Sequence, residues 1–333
     1  YIPPNPLRIS SLTGKLIVLG LLVIISWVAT NLVWGIVHER QGRQDEVGNE
    51  ISLQWGRPQT VAGPVITIPV EKTHIATNGE QTIESSVLTL LPQKLSYKST
   101  IETQIRTRGV YETPVYTTIV KGEGNFDLTD IQGVATSETR ILWDKAVVSI
   151  NVSDTRGISS AFALTINDTQ QKMLPASEFS LLGTSGVHAP LVLVPTTPNY
   201  AFSFEMPLKG SRELSFLPLG EETSVTLSSP WSAPSFTGEF LPDERNIRET
   251  GFDATWKVAS YGKNIPQSWM GSTMAVDSEM LNAKAFGVGL YQEVDFYTMV
   301  DRATKYGILF IGLTFLTFFL YEVLGGLRIH PVQ

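Results

Sequence analysis

Cysteine is absent from the 333 residues, so the chain has no disulfide framework, no thiol nucleophile and no thiolate metal site. Histidine is almost as scarce. Of the four present, His38 and His330 border apolar runs, while His74 and His188 fall in segments that read as loops. No two stand at ligand spacing, which leaves a histidine-built metal centre without support. Bases are outnumbered by acids, 25 to 32, for a net charge of -7. That balance argues against nucleic acid, whose phosphates require a basic face. Charged residues of either sign reach only 17% while apolar ones reach 42%, a composition that speaks against disorder and for membrane-embedded segments.

Catalytic signatures are equally thin. There is no G-x-S-x-G, H-E-x-x-H or G-x-x-x-x-G-K-[ST], and Gly122-Glu123-Gly124 and Gly287-Val288-Gly289 lack the third glycine of a dinucleotide loop. The one S-x-x-K tetrapeptide, Ser260-Tyr261-Gly262-Lys263, reads as a strand-to-turn segment without the companion motifs of penicillin-recognising enzymes. The neighbouring acids Glu221-Glu222 and Asp243-Glu244 stand beside Gly or Pro, where solvated turns are expected and not the facing carboxyls of a glycosidase. No cofactor is expected, and a non-enzymatic role leads. Five tryptophans, Trp55, Trp143, Trp231, Trp256 and Trp269, lie between the apolar runs. Exposed, they would stack on sugar rings; buried, they would fill a β core, which is the preferred reading.

What is present begins with two uncharged stretches. Leu16 to Val37 is 22 residues long, about 33 Å as a helix, enough to cross the hydrocarbon core. A cleaved signal peptide would carry an apolar region of only about 7 to 15 residues. Arg8 and Lys15 precede the run without an acid, and Glu39, Arg40, Arg43, Asp45 and Glu46 follow it, so the positive-inside bias places the N-terminus in the cytoplasm. Tyr306 to Tyr321 is uncharged for 16 residues, about 24 Å of helix, and attains full span length only by carrying Glu322 through to Leu327.

The expected division is therefore a cytoplasmic N-terminus over 1–15, a transmembrane helix over 16–37, a β-rich extracytoplasmic domain over 38–305, a second transmembrane helix over 306–327 and a cytoplasmic end over 328–333. Membrane lipid is one partner. The chain opens on Tyr1 and stops just past an apolar run, which makes further C-terminal helices an expectation. Glu322 is the intramembrane ionisable residue. Such a group costs about 2.5 to 3.5 kcal/mol at the bilayer centre, so it is either interfacial, paired with another helix, or part of an ion or proton path. Residues 38–305 hold 31 of the 32 acids and 22 of the 25 bases, too acidic a domain to seek anionic headgroups.

That domain reads as mainly β, a large antiparallel β-sandwich. YKSTIETQIRTR, residues 97–108, alternates strictly, the pattern of a long half-buried strand. Further strands are expected at Val65–Val70, Val87–Leu91, Val115–Val120, Ala146–Val152, Phe162–Ile166, Leu191–Val194, Tyr200–Glu205, Glu213–Leu217, Ser224–Leu227 and Ala254–Ala259. Asn78-Gly79 favours a type I′ hairpin. Helical periodicity is confined to about Arg40–Leu53 and Asp277–Leu281. Leu88-Thr89-Leu90-Leu91-Pro92 resembles Leu214-Ser215-Phe216-Leu217-Pro218, and Pro114 to Thr117 resembles Pro234 to Thr237. Two readings stay open: chance likeness among strands, or a duplicated unit, about 51–195 and 196–299, packed as a supersandwich.

Several segments converge on one family. Arg108-Gly109-Val110-Tyr111-Glu112-Thr113-Pro114, Val152-Ser153-Asp154-Thr155-Arg156-Gly157-Ile158, LSFLPLG from Leu214, WSAPSFTGEFLP from Trp231 and ATKYGILFIGLTFLTFFL from Ala303 resemble the CreD inner-membrane proteins, also called cell-envelope-integrity or colicin-tolerance proteins. The resemblance implies a Gram-negative inner membrane, a periplasmic domain between the first two helices and a link with envelope stress under a two-component system. It implies no reaction. The leading functional reading is a domain that senses, scaffolds or binds a partner, such as a periplasmic protein. Its alternatives are a domain that binds or processes cell-wall glycan and a transport role of the helices.

The motif residues also have a physical reading. Asp154 can close a turn through its own backbone and Arg156 can pair with it ahead of Gly157. Gly109 and Pro114 frame Tyr111 at the bend that follows Arg108. Phe236, Phe240 and Pro242, with Trp256 as a further candidate, form either a corner packed on the helices or a partner-binding edge.

Overall fold

The computed structural model describes residues 11–75, 81–132, 139–176, 186–271, 278–291 and 296–325. Contacts divide the chain into two compact units, residues 1–46 with 293–333, and Val47–Gln292.

The first unit contains most of helix α1 (Ser11–Trp55) and all of a C-terminal helix (Phe296–Gly325). Each is long and apolar enough to cross a membrane. Their large side chains are exposed, Leu21 at 57% and Phe310 at 67% among them, as expected of helices whose solvent is lipid. Near one end of the pair the Trp34 indole N–H donates to Asp301 Oδ1 at 3.0 Å, and Trp34 stacks on His38 with ring centres 4.7 Å apart. The C-terminal helix continues through position 322; the surroundings of the Glu322 side chain lie outside the described residues.

The second unit is the β domain. Its strands in chain order are β1 (Gln59–Ile75), β2 (Gln81–Leu90), β3 (Lys94–Arg108), β4 (Tyr111–Asp127), β5 (Thr139–Ile141), β6 (Ala146–Val152), β7 (Ala163–Ile166), β8 (Thr169–Lys172), β9 (Leu174–Pro175), β10 (Gly186–Leu191), β11 (Asn199–Ser211), β12 (Glu213–Phe216), β13 (Glu222–Ser229), β14 (Pro234–Gly238), β15 (Glu244–Arg248), β16 (Gly251–Ala259), β17 (Ser268–Met270) and β18 (Phe286–Leu290). They form two sheets. One has ten strands, ordered β14-β18-β12-β1-β6-β10-β9, with β2 and β5 also on β1 and β17 on β2. The other has eight, ordered β15-β16-β13-β3-β4-β11-β7-β8.

Alternation builds the core between them. In β11 every second residue from Tyr200 to Leu208 is buried, and in β13 Thr223, Val225 and Leu227 face the same way, the period of two that lets a strand bury one face. Ile66, Ile68, Tyr97, Phe216, Trp256 and Phe286 fill the centre with almost no exposure. The fold is thus mostly β, a two-sheet domain flanked by an apolar helix at each end of the chain.

Particular elements differ from their sequence reading. Two pairings are parallel, β1 with β12 and β3 with β13, because strands far apart in sequence can lie side by side without a tight turn. His74 lies in β1 and His188 in β10, not in loops. The glycine pair at 287 and 289 sits in β18, a fully buried strand; a Cβ on Gly287 would come within 2.1 Å of the Leu214 carbonyl oxygen, so glycine is there for the neighbouring strand. Ser260–Lys263 is a single helical turn. β3 is half-buried only as far as Thr103, and its last five residues project with both faces exposed. Asn78-Gly79 lies outside the described residues, between Ile75 and its antiparallel partner Gln81.

The two Leu-rich, Pro-ended segments share a role. Each leaves the ten-stranded sheet, from β2 and from β12, and leads into the strands β3 and β13 that run parallel in the eight-stranded sheet with Lys94 beside Glu222. Pro114 and Pro234 have no such equivalence, since β4 and β14 belong to different sheets.

Candidate functional site

Two features of the β domain gather polar side chains. The first is the seat of the last turns of α1, where Ile51 and Ser52 are buried. Ser211 Oγ donates to Ser52 Oγ at 2.7 Å and Trp55 Nε1 to the Tyr116 carbonyl at 3.2 Å. The helix's carbonyl end carries the negative pole of its dipole, and cations surround it. Arg106 lies 4.5 Å above the Trp55 ring, Lys209 Nζ lies 5.6 Å from it, and Arg156 Nη1 donates to the Leu53 carbonyl at 3.5 Å. One turn earlier, Arg108 pairs with Glu50 at 2.7 Å and Arg212 donates to Asn49 Oδ1 at 3.2 Å.

Arg156 is aimed by Asp154. Asp154 Oδ1 accepts from the Arg156 backbone N–H at 3.1 Å and from Nε at 2.9 Å, and Oδ2 accepts from Nη2 at 2.8 Å. The guanidinium hydrogen bonds outweigh burial and hold the Asp154 carboxyl below its ordinary range. Gln59 exchanges hydrogen bonds with the Asp154 backbone in both directions, at 3.2 and 3.3 Å. Gly157 closes this turn with its N–H on the Asp154 carbonyl at 2.9 Å. A Cβ there would stand 2.6 Å from the Lys209 carbonyl oxygen. Gly109, in contrast, has open space around it but a φ of +64°, the left-handed backbone that a two-residue hairpin turn demands at its first central position. Tyr111 starts the returning strand and Pro114 accepts from the Arg212 N–H at 3.1 Å. Of the motif residues, Arg108 and Arg156 therefore contact one helix end, and Asp154 and Gly157 build the turn that holds Arg156.

Phe236, Phe240 and Trp256 are elsewhere, in an aromatic cluster of the domain core. Phe236 meets Trp256 edge-on at 5.6 Å, Phe240 meets Phe286 at 5.7 Å, and Trp256 Nε1 donates to the Phe240 carbonyl at 3.2 Å. Pro242 is half-buried just past them. Lys263 is fully buried and donates to the Leu219 and Gly220 carbonyls at 2.9 and 2.6 Å and to Gln267 Oε1 at 2.5 Å. Burial lowers its pKa to about 8, against the pull of Glu221. With all three ammonium hydrogens engaged, it staples a loop. Among the described residues no group of three or more His, Asp or Glu could hold a metal ion.

The second feature is the outer face of the eight-stranded sheet. Three cavities of about 1060, 540 and 670 Å³ open side by side on it. Register aligns the side chains in transverse rows. Lys257, Ser224, Ser96, Glu123 and Ser203 form one, and Thr255, Thr226, Lys98, Lys121 and Glu205 the next. Small hydroxyl side chains make the floor, with Lys and Glu standing between them. None of the five tryptophans lines it. These residues escaped the sequence reading because one polar strand face looks like any other; only pairing shows that five such faces adjoin.

Residues 11–333 match the family model for inner membrane protein CreD. Inner membrane protein CreD of Escherichia coli (strain K12) is 30% identical over 315 residues, 93% of this chain and 69% of that protein. Among solved structures, an M1 zinc metallopeptidase from Deinococcus radiodurans is 11% identical with a TM-score of 0.23, over 50% of this chain and 38% of that one. A mutant two-domain M1 zinc metallopeptidase bound to L-arginine is 12% identical with a TM-score of 0.22, over 60% and 42%. Likeness that slight carries no argument. The family match and the E. coli relative do: the chain belongs to the CreD family of inner membrane proteins.

Proposed function

We propose that the β domain lies in the periplasm and contributes to cell-envelope integrity or the envelope stress response by binding a partner protein, as a sensor or scaffold held at the membrane by the two helices. The observation that carries this reading is the hydroxyl-floored face of the eight-stranded sheet, where three cavities adjoin. A protein partner offers the backbone and side-chain amides such a floor can hydrogen-bond. The absence of tryptophan from the face withholds the platform on which a sugar ring would stack. The charge pattern around α1, with bases before the apolar run and mixed charges after it, supports the orientation.

Two experiments test it. Filling the floor with S96W and S203W in the full chain should impair envelope tolerance of detergent while the protein still accumulates in the membrane. Unchanged tolerance would sink the partner-binding reading. Because the chain has no cysteine, a single Ser203→Cys reports topology: a membrane-impermeant maleimide should label it in cells whose outer membrane is permeabilised. Labelling only after inner-membrane lysis would reverse the orientation.

A further inference from the structure

On the outer face of the eight-stranded sheet, Lys98 of β3 stands directly opposite Lys121 of β4 in antiparallel register. Both are exposed. Like charges facing each other across a ladder repel, and the arrangement is destabilising. Glu205 on β11 neutralises only Lys121, at 2.8 Å. Among the described residues Lys98 makes no ion pair; its nearest carboxylate by register is Glu123, one row away on the diagonal. Lys98 also borders two of the three cavities. A chain of net charge -7 thus keeps a lysine without an ion pair among the described residues beside a second lysine, with Glu102 lining one of the same cavities.

We propose that Lys98, with Lys121 behind it, is a carboxylate-binding subsite for one acidic side chain on an extended segment of the partner protein. This rests on the partner-binding reading and names its chemistry. The direction of the segment follows from geometry. Outward side chains along β3 from Lys94 through Ser96 and Lys98 to Thr100 mark three steps of about 6.8 Å, some 20 Å of floor, which accommodates roughly six residues of extended chain. On either side of Lys98, Ser96 and Thr100 offer hydroxyl oxygens to the backbone of that chain, the Thr100 hydroxyl being also bonded to Ser228 Oγ at 3.1 Å. Glu123 restricts the site to one acidic group next to Lys98, since a second carboxylate one row on would meet like charge.

The test uses the full-length protein in detergent and a capped hexapeptide, Ser-Thr-Glu-Ser-Thr-Ser, with its Gln counterpart as control, followed by calorimetry at low and high salt. The Glu peptide should bind at least fivefold tighter than the Gln peptide, and the difference should shrink in high salt. K98Q should abolish the preference without lowering the unfolding midpoint, because it relieves the facing charges. E205Q, which frees Lys121, should strengthen Glu-peptide binding two- to fivefold, a gain that misfolding cannot produce. Equal affinity for the two peptides, or a preference that survives K98Q, overturns the carboxylate subsite. If that happens while S96W and S203W still impair envelope tolerance, the subsite falls and the partner-binding face stands. Binding of a chitin-type oligosaccharide with no response to either peptide overturns both.

Discussion

Asp154 grips Arg156 through three hydrogen bonds and so points the remaining guanidinium nitrogen at the Leu53 carbonyl, in the last turn of α1. The carboxyl of Asp154 is nearly buried while the arginine is exposed. The acid is therefore the fixed member of the pair and the arginine the one that is held.

Replacing Asp154 by Ala removes a turn cap and a buried hydrogen-bond acceptor and should cost about 1 to 2 kcal/mol, read from denaturant unfolding of the full chain in detergent. The pH dependence has a definite sign. The folded carboxyl sits below its ordinary 3.8, so its contribution is present above that value and is lost as pH falls through the lower, folded pKa. Between pH 6 and 2.5 the wild type should lose stability relative to Asp154→Asn, with the loss confined to the acid end. Parallel curves would mean that the pair carries no linkage.

The two motif glycines should fail for different reasons. Gly157→Ala drives a methyl into the Lys209 carbonyl and should cost about 1 to 3 kcal/mol by overpacking. Gly109→Ala meets no neighbour and only strains a left-handed backbone, about 1 to 2 kcal/mol. Asn tolerates that region, so Gly109→Asn should recover part of the loss and Gly157→Asn none. Recovery at both positions would contradict the distinction.

Trp256 is the largest fully buried side chain, in contact with Phe236 and Phe286. Trp256→Ala should cost about 3 to 5 kcal/mol, whereas loss of Trp231, whose ring is only partly buried, should cost less. Equal midpoints for the two variants would show that the aromatic cluster is not the centre of the core.

Lys263→Met leaves the Leu219 carbonyl without its donor and the Gly220 carbonyl with only the Thr223 hydroxyl at 3.3 Å, and should cost about 1 to 3 kcal/mol at pH 7. Lys263 titrates at about 8 when folded and near 10.5 when free. Between those values the unfolded chain binds the proton that the folded one has released, so this residue makes stability rise with pH. The wild type minus K263M difference should climb from pH 8 toward 10. Above 10, Tyr97 and Tyr116, whose pKa values burial raises, hold protons only when folded and lower the stability of both proteins alike. A flat difference from pH 7 to 10 would remove Lys263 as the source.

Apolar run length, strand alternation and turn residues are local properties, so they sufficed for two membrane-length helices, a β domain between them and most of its strands, Ala146–Val152 to the residue. The family motifs at Arg108 and Asp154–Gly157 were legible as a resemblance between short stretches of sequence. Pairing is not local. Glycine-rich β18 and short β14 carry weak strand propensity and exist because neighbouring strands accept their backbone. Lys98 faces Lys121 because the two-residue turn after Arg108 sets the register of β3 on β4, but only the fold brings Arg108, Arg156 and Trp55 to one helix end. Those contacts link positions far apart in the chain, and what joins them is the packing of two sheets, a free energy summed over the whole core that no single stretch of sequence contains.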